Sequence, residues 1–386
     1  MSGIRRTSSG ARSIWDDLTG TGQEVGERVR RALEIDVFRG LAVIGVVFSH
    51  VIDGVRGAGL LEVDAPLYLF NEWLYSFRMP AIALVLGLFI SYGAEKYGTR
   101  TYIARRAVFA AYMYVVWYVI QMSSEVLTSS LKNHPVTIGE ALRIWEPAAH
   151  LWFIPYIAVS AAVIALAQPW KRAPWLTAPL LILASTACWG WTNDFIGLRG
   201  LALVSFSTVG ALIGIRRART LFAEHRRLIL VVGLVALAAA IPFFGAELVP
   251  ASVEATAEQV AAGRATWMPA SVTLAWLGQF IIAAAAVLIA MVPRVRELFA
   301  FVGRSTLSVY LAHIIVIAGL RIVLMALGVD SLAVLVPVLL IAGVAVPLIV
   351  ERAVQRTPLR FVFEIPQSWL PGVTTPQPRQ AASASS

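Results

Sequence analysis

Arg39 and His50 stand eleven residues apart in residues 34–53, EIDVFRGLAVIGVVFSHVID. Eleven residues is close to three turns of an α-helix, so both side chains point the same way, about 16 Å apart along the axis. Asp36 and Asp53 fall within about one sixth of a turn of that line. The stretch is long and apolar enough to cross a membrane, so one face of a membrane helix carries a stripe of ionisable groups. Such groups are costly at that depth and by default mark a functional site. Burial favours the neutral form of an imidazole, and a neutral, oriented imidazole can take a proton from a hydroxyl. Asp53, three residues beyond His50, is placed to orient the ring. The plainer alternative is that Arg39 only pairs with Asp36 and that His50 is a structural hydrogen-bonder.

Other polar residues interrupt apolar runs further on. Arg78 precedes Met79-Pro80, where the proline removes a helix hydrogen bond and predicts a break or kink. An Arg beside such a break could bind an anion or polarise a carbonyl, although it could also snorkel or pair with Glu72. His150 opens an aromatic-rich span, and His313 lies deep in a later one whose inner end carries Arg304. These two imidazoles are placed at different depths from His50, which gives no reason to pair them around a haem. There is no HExxH, no cysteine cluster beyond the single Cys188, and no His-rich tract, so no metal is expected. Gly-rich phosphate loops and a GxSxG elbow are also absent.

The elements that must position these groups follow from hydropathy. The chain has 386 residues, is 58% hydrophobic and only 14% charged, against about 25% charged in soluble domains. Apolar runs near twenty residues recur along it, which predicts an all-α, polytopic membrane bundle of about ten transmembrane helices. The expected spans are 35–54, 67–92, 106–123, 149–167, 175–191, 198–215, 228–246, 271–291, 299–319 and 332–350. The net charge of +9 is read as positive-inside bias and not as a nucleic-acid signal. Basic loops after spans two, four, six and eight, together with both tails, fall on one side and set an N-in/C-in topology. Three regions result: a cytoplasmic tail at 1–33, a transmembrane domain at 34–350 and a basic tail at 351–386.

Four stretches together resemble the acyltransferase-3 family of membrane acyltransferases: IDVFRGLAVIGVVFSHV with its Arg-x10-His, SFRMPAIALVLGLF, HLWFIPYI and GRSTLSVYLAHIIVI. They occur in the family's order. The second departs from it, with Arg78 where the family commonly has His before Met-Pro, and Leu86 before Gly87 where Ser is common. Among narrower relatives the chain looks like the sugar O-acetylases and the trehalose-monomycolate acetyltransferases. The resemblance implies acyl transfer, acetyl first of all, from cytoplasmic acyl-CoA to a hydroxyl of an envelope glycan or glycolipid. It implies His50 as base and Arg39 as donor binder.

The resulting expectation is a multi-pass enzyme of the cytoplasmic (inner) membrane. Acetyl-CoA or another acyl-CoA is the donor, and no metal takes part. His50, Asp53, Arg78 and His150 form the catalytic group. Arg39, Asp36, Arg105, Arg106, Arg304 and His313 form the donor-binding group. The rival expectation is a transporter or flippase whose buried charges line a substrate path. No twofold hydropathy repeat supports it.

Overall fold

A computed structural model describes residues 33–129 and 137–372 of the chain. The described residues are all-helical, with no strand. The long helices are α1 (Leu33–Gly57), α2 (Pro66–Leu88), α3 (Ile90–Tyr97), α4 (Thr99–Leu127), α5 (Phe153–Ala167), α6 (Pro174–Ala187), α7 (Val204–Glu224), α8 (Arg226–Ala240), α9 (Arg264–Ala290), α10 (Pro293–Arg304), α11 (Thr306–Ala326) and α12 (Leu332–Val354). Among the described residues nine helical segments are long and apolar enough to span a bilayer, with α2 and α3 together forming one of them. The protein is therefore a multi-pass helical membrane protein.

The fifth expected span is shorter than predicted. Helix α6 has 14 residues, about 21 Å, against a hydrocarbon core of about 30 Å. Contacts at the two ends of the bundle show how the chain alternates. At one end Gln168, just past α5, bonds Thr99 at the start of α4 (2.8 Å), and Glu34 pairs with Arg226 (2.6 Å). Arg352 covers the Phe301 ring there as well. At the other end the Trp189 indole bonds the Val249 carbonyl, Ile196 bonds Trp145, and Arg321 bonds the carbonyl of Gly54. Helix α6 leads from the first set of contacts to the second. The described chain thus begins and ends at one end of the bundle, the end that also holds the Arg- and Lys-rich connections.

Three boundaries differ from expectation for physical reasons. Arg105 and Arg106 are not in a loop, because α4 starts at Thr99 and carries them inside its second turn. Arg216, Arg217 and Arg219 also lie on helix: α7 kinks at Gly214 (φ 68°), where only glycine is at ease, and then continues to Glu224. The ninth span begins later, at Thr306, because residues 293–304 form the separate amphipathic helix α10. Pro80 lies within α2 without ending it, and the Gln279 amide bonds the nearby Phe77 carbonyl (3.3 Å). The break falls instead at Phe89. The expected N-terminal tail, up to residue 32, lies outside the described residues.

Small residues set the helix contacts, as expected where lipid is as apolar as any side chain. Gly40 on α1 and Gly303 on α10 meet backbone to backbone. A Cβ at either would run into a main-chain carbonyl, that of Phe299 or of Asp36. Gly87 and Gly210 do the same for α2 against α7. Helix α8 buries only Gly233, Ala236 and Ala240, while Leu228, Val231, Leu234 and Val235 face outward, as fits a helix on the lipid-facing rim. The segment after α12 packs back along α4: Trp117 and Tyr112 donate to the carbonyls of Val362 (2.7 Å) and Phe361 (2.9 Å).

Candidate active site

Three histidines far apart in sequence meet inside the bundle. Ring centroids are 5.2 Å apart for His50–His313, 4.9 Å for His150–His313 and 6.4 Å for His50–His150. The reading that placed them at separate depths is corrected by the way His150 is delivered. His150 sits on a 3-10 turn, Ala149–Trp152, that precedes α5. Ala149 takes φ 45°, a left-handed conformation uncommon for a residue with a Cβ. This turn sets His150 beside the second turn of α11. There the His150 ring bonds the Leu311 carbonyl (3.2 Å) through Nε2, and the Tyr310 hydroxyl donates to the His150 carbonyl. Turn and helix hold each other.

These bonds fix the tautomers. A carbonyl only accepts, so the nitrogen facing it carries the hydrogen. His150 is therefore protonated on Nε2. His313 is protonated on Nδ1, which bonds the carbonyls of Tyr310 (2.7 Å) and Val309 (3.0 Å) one turn back on its own helix. Nδ1 of His150 and Nε2 of His313 are left as buried acceptors with no hydrogen-bond partner among the described residues. His313 and His150 are 0% and 2% exposed, whereas His50 keeps accessible surface. No group of three or more His, Cys, Asp or Glu side chains among the described residues is arranged to hold a metal ion.

His50 also lines a cavity of about 150 Å³ between α1, α11 and α12, with Val51, Gly54, Ile314, Ile317, Ala318, Leu339 and Arg321. No hydrogen bond joins Asp53 to His50; Asp53 instead lies in the electrostatic field of Arg78 and Arg56. Arg78 is fully inside the bundle, 2% exposed. Its Nη1 reaches the carbonyls of Val46 (3.2 Å) and Gly45 (3.4 Å) on α1, and its guanidinium lies 3.7 Å over the Tyr75 ring. Arg78 is thus docked about one turn before His50, not at the outer surface, and its charge acts on both His50 and His313.

The expected donor-binding residues divide into two places. Arg39 pairs with Asp36 (3.6 Å), whose other oxygen meets Arg304 (3.7 Å), so α10 delivers Arg304 to the start of α1. Arg39 also lines a cavity of about 20 Å³ with Ile82, Val85, Leu86, Phe89, Phe153 and Thr306. Arg105 and Arg106 lie elsewhere, buried over the rings of Tyr97 and Tyr102, and Arg105 donates to the Pro371 carbonyl (3.0 Å). His313, grouped with the donor residues from sequence, stands instead with His50. Phe153 packs against Tyr310 (5.7 Å between centroids), and Tyr310 against His150 (5.1 Å), so these rings stand between the Arg39 cavity and the histidines.

Arg321 escaped the sequence reading. The ninth span expected at 299–319 stops short of Arg321, whereas α11 runs to Ala326. A charge in an apolar helix was the available signal, the same one that singled out Arg39.

Fold and site together define a multi-pass membrane protein with a buried imidazole cluster at a helix that also carries Asp36, Arg39 and Asp53. The model of the family described as an acyltransferase domain matches residues 33–352, most of the chain, and the protein belongs to this acyltransferase-3 family. Comparisons with curated proteins and with solved structures gave no match.

Proposed function

We propose that this membrane acyltransferase moves a short acyl group from acyl-CoA to a hydroxyl of an envelope glycan or glycolipid. The basic end of the bundle faces the cytoplasm, and the membrane is the cytoplasmic (inner) one, following the positive-inside rule. The observation that carries the reading is the convergence of three imidazoles, one of which, His50, lines a cavity. Two of them have their tautomers fixed by backbone carbonyls.

The acceptor hydroxyl gives its proton to the neutral His50 as its oxygen attacks the thioester carbonyl. The C–O bond forms, the C–S bond breaks, and the proton passes from His50 to the departing thiolate. The products are the ester and free CoA. The lone pair on Nε2 of His313 can accept from the other ring nitrogen of His50 and so hold its orientation, the task first assigned to Asp53. His150 has committed its one N–H to Leu311, which leaves Arg78 as the group whose charge stabilises the oxyanion. Arg39 meets the donor with Arg304 beside it. Arg105 can share in this only once the segment around Pro371 releases it.

Labelled acyl-CoA given to membranes containing the protein tests the proposal. Label covalently attached to lipid or glycan is the expected result. Unmodified substrate crossing proteoliposomes, with no covalent label, would overturn it in favour of transport. Arg39→Gln is expected to raise the apparent KM for acyl-CoA about tenfold or more, the loss of roughly one charge-assisted contact, with a smaller change in kcat. An unchanged KM would reject donor binding. His313→Gln is expected to lower kcat roughly 10- to 100-fold with little change in KM for acyl-CoA, since an orienting group acts at the chemical step. A change confined to KM would return His313 to the donor site.

A further inference from the structure

We infer that the cavity beside His50 is an acyl chamber that admits chains longer than acetyl and stops at about six carbons. The inference rests on the proposed acyl-CoA chemistry and adds what the enzyme selects. His50, the group assigned to the acceptor proton, lines the chamber, so the thioester carbonyl must come beside it. Beyond His50 the walls are hydrocarbon: Val51, Ile314, Ile317, Ala318 and Leu339. A polar acceptor headgroup would find few hydrogen-bonding groups there, whereas a saturated chain loses only water contact.

Size sets the limit. The volume is about 150 Å³, and an apolar cavity of about that size accommodates benzene, a six-carbon hydrocarbon. An acetyl methyl would leave most of that space empty, and the tail of a long fatty acyl chain exceeds it. The far wall is firm. Leu339 is 1% exposed, and Gly343, one turn along α12, lies so close to Ile317 and Val47 that a Cβ would press on both. Arg321, which also lines the chamber, donates to the carbonyl of Gly54, and a Cβ at Gly54 would meet its guanidinium. This bond ties α1 to α11 beside the chamber. The transferred bond remains the same for every chain length: C–S breaks, C–O forms, and CoA leaves as the thiol.

The test compares acetyl-, hexanoyl-, octanoyl- and palmitoyl-CoA as donors for the purified full chain, with membrane lipid extract as acceptor. The expected result is transfer of acetyl and hexanoyl but not palmitoyl. Ala318→Leu, which fills the chamber, should lower the hexanoyl-to-acetyl ratio about tenfold or more. Leu339→Ala, which lengthens it, should raise the octanoyl-to-hexanoyl ratio several-fold. Size-exclusion profiles matching the parent protein show that each variant is folded, and if Leu339→Ala fails there, Ala318→Leu alone decides. Transfer of acetyl only, equal transfer of palmitoyl, or flat ratios in the folded variants would overturn the chamber while leaving the acyltransferase reading intact. A changed acceptor KM with unchanged donor ratios would overturn it too, assigning the cavity to a hydrocarbon tail of the acceptor. No turnover of any acyl-CoA would remove the acyl-CoA reading, and the chamber with it.

Discussion

Replacing His50 with alanine is expected to cut acyl transfer by roughly 10²- to 10⁴-fold, the range contributed by a positioned general base. The variant should still reach the membrane and elute like the parent protein. His50 makes no hydrogen bond that α1 needs, and the helix is held by neighbours such as Val47, Val51 and Ile52, all buried. The loss should appear in kcat, because the role proposed for the imidazole is on the reacting proton and not on the CoA carrier. Initial rates in detergent with a saturating donor measure it. Undiminished transfer by a folded His50→Ala protein would exclude the base role, and the three-histidine cluster would then be a packing feature.

The second large effect concerns stability. Gly303→Leu should sharply lower the amount of folded protein, or its thermal midpoint in fluorescence-detected size exclusion. Overpacking typically costs about 1–3 kcal/mol. Here the obstruction is the main chain of Asp36 and Gly40, which cannot rotate aside. Helix α10 would have to lift from α1 and carry Arg304 away from Asp36. Gly319→Leu is the matched control, since Gly319 lies on α11 with nothing near its would-be Cβ. A Gly303→Leu protein as stable as the Gly319 variant would show that α10 does not hold the first turns of α1.

Sequence periodicity revealed the bundle itself, because hydropathy in runs near twenty residues is a signal that bilayer thickness imposes on each helix separately. The stripe of Asp36, Arg39, His50 and Asp53 was legible for the same reason, being a property of one helix. Contacts between helices carry no such local mark. His150 looked like an interfacial residue because nothing in HLWF announces that Ala149 adopts a left-handed conformation and sets the ring beside α11. Asp53 was placed near His50 by spacing, yet an i, i+3 relation leaves rotamers open, and the side chain lies among the charges of Arg56 and Arg78. Helix α10 was absorbed into a neighbouring span because its amphipathic sequence runs directly into an apolar one. Its role in bringing Arg304 to Asp36 depends on two glycines more than 260 positions apart in the chain.

The cavity at Arg39 and the cavity at His50 share no lining residue, and Phe153 and Tyr310 stand between them. Under the proposed reaction this arrangement demands a movement each time a thioester is brought in. For the membrane it has another meaning. A continuous wet passage lined by imidazoles would conduct protons and drain the electrochemical gradient of the cell that carries it. The tilted rings of Phe153 and Tyr310 stand where such a passage would have to run.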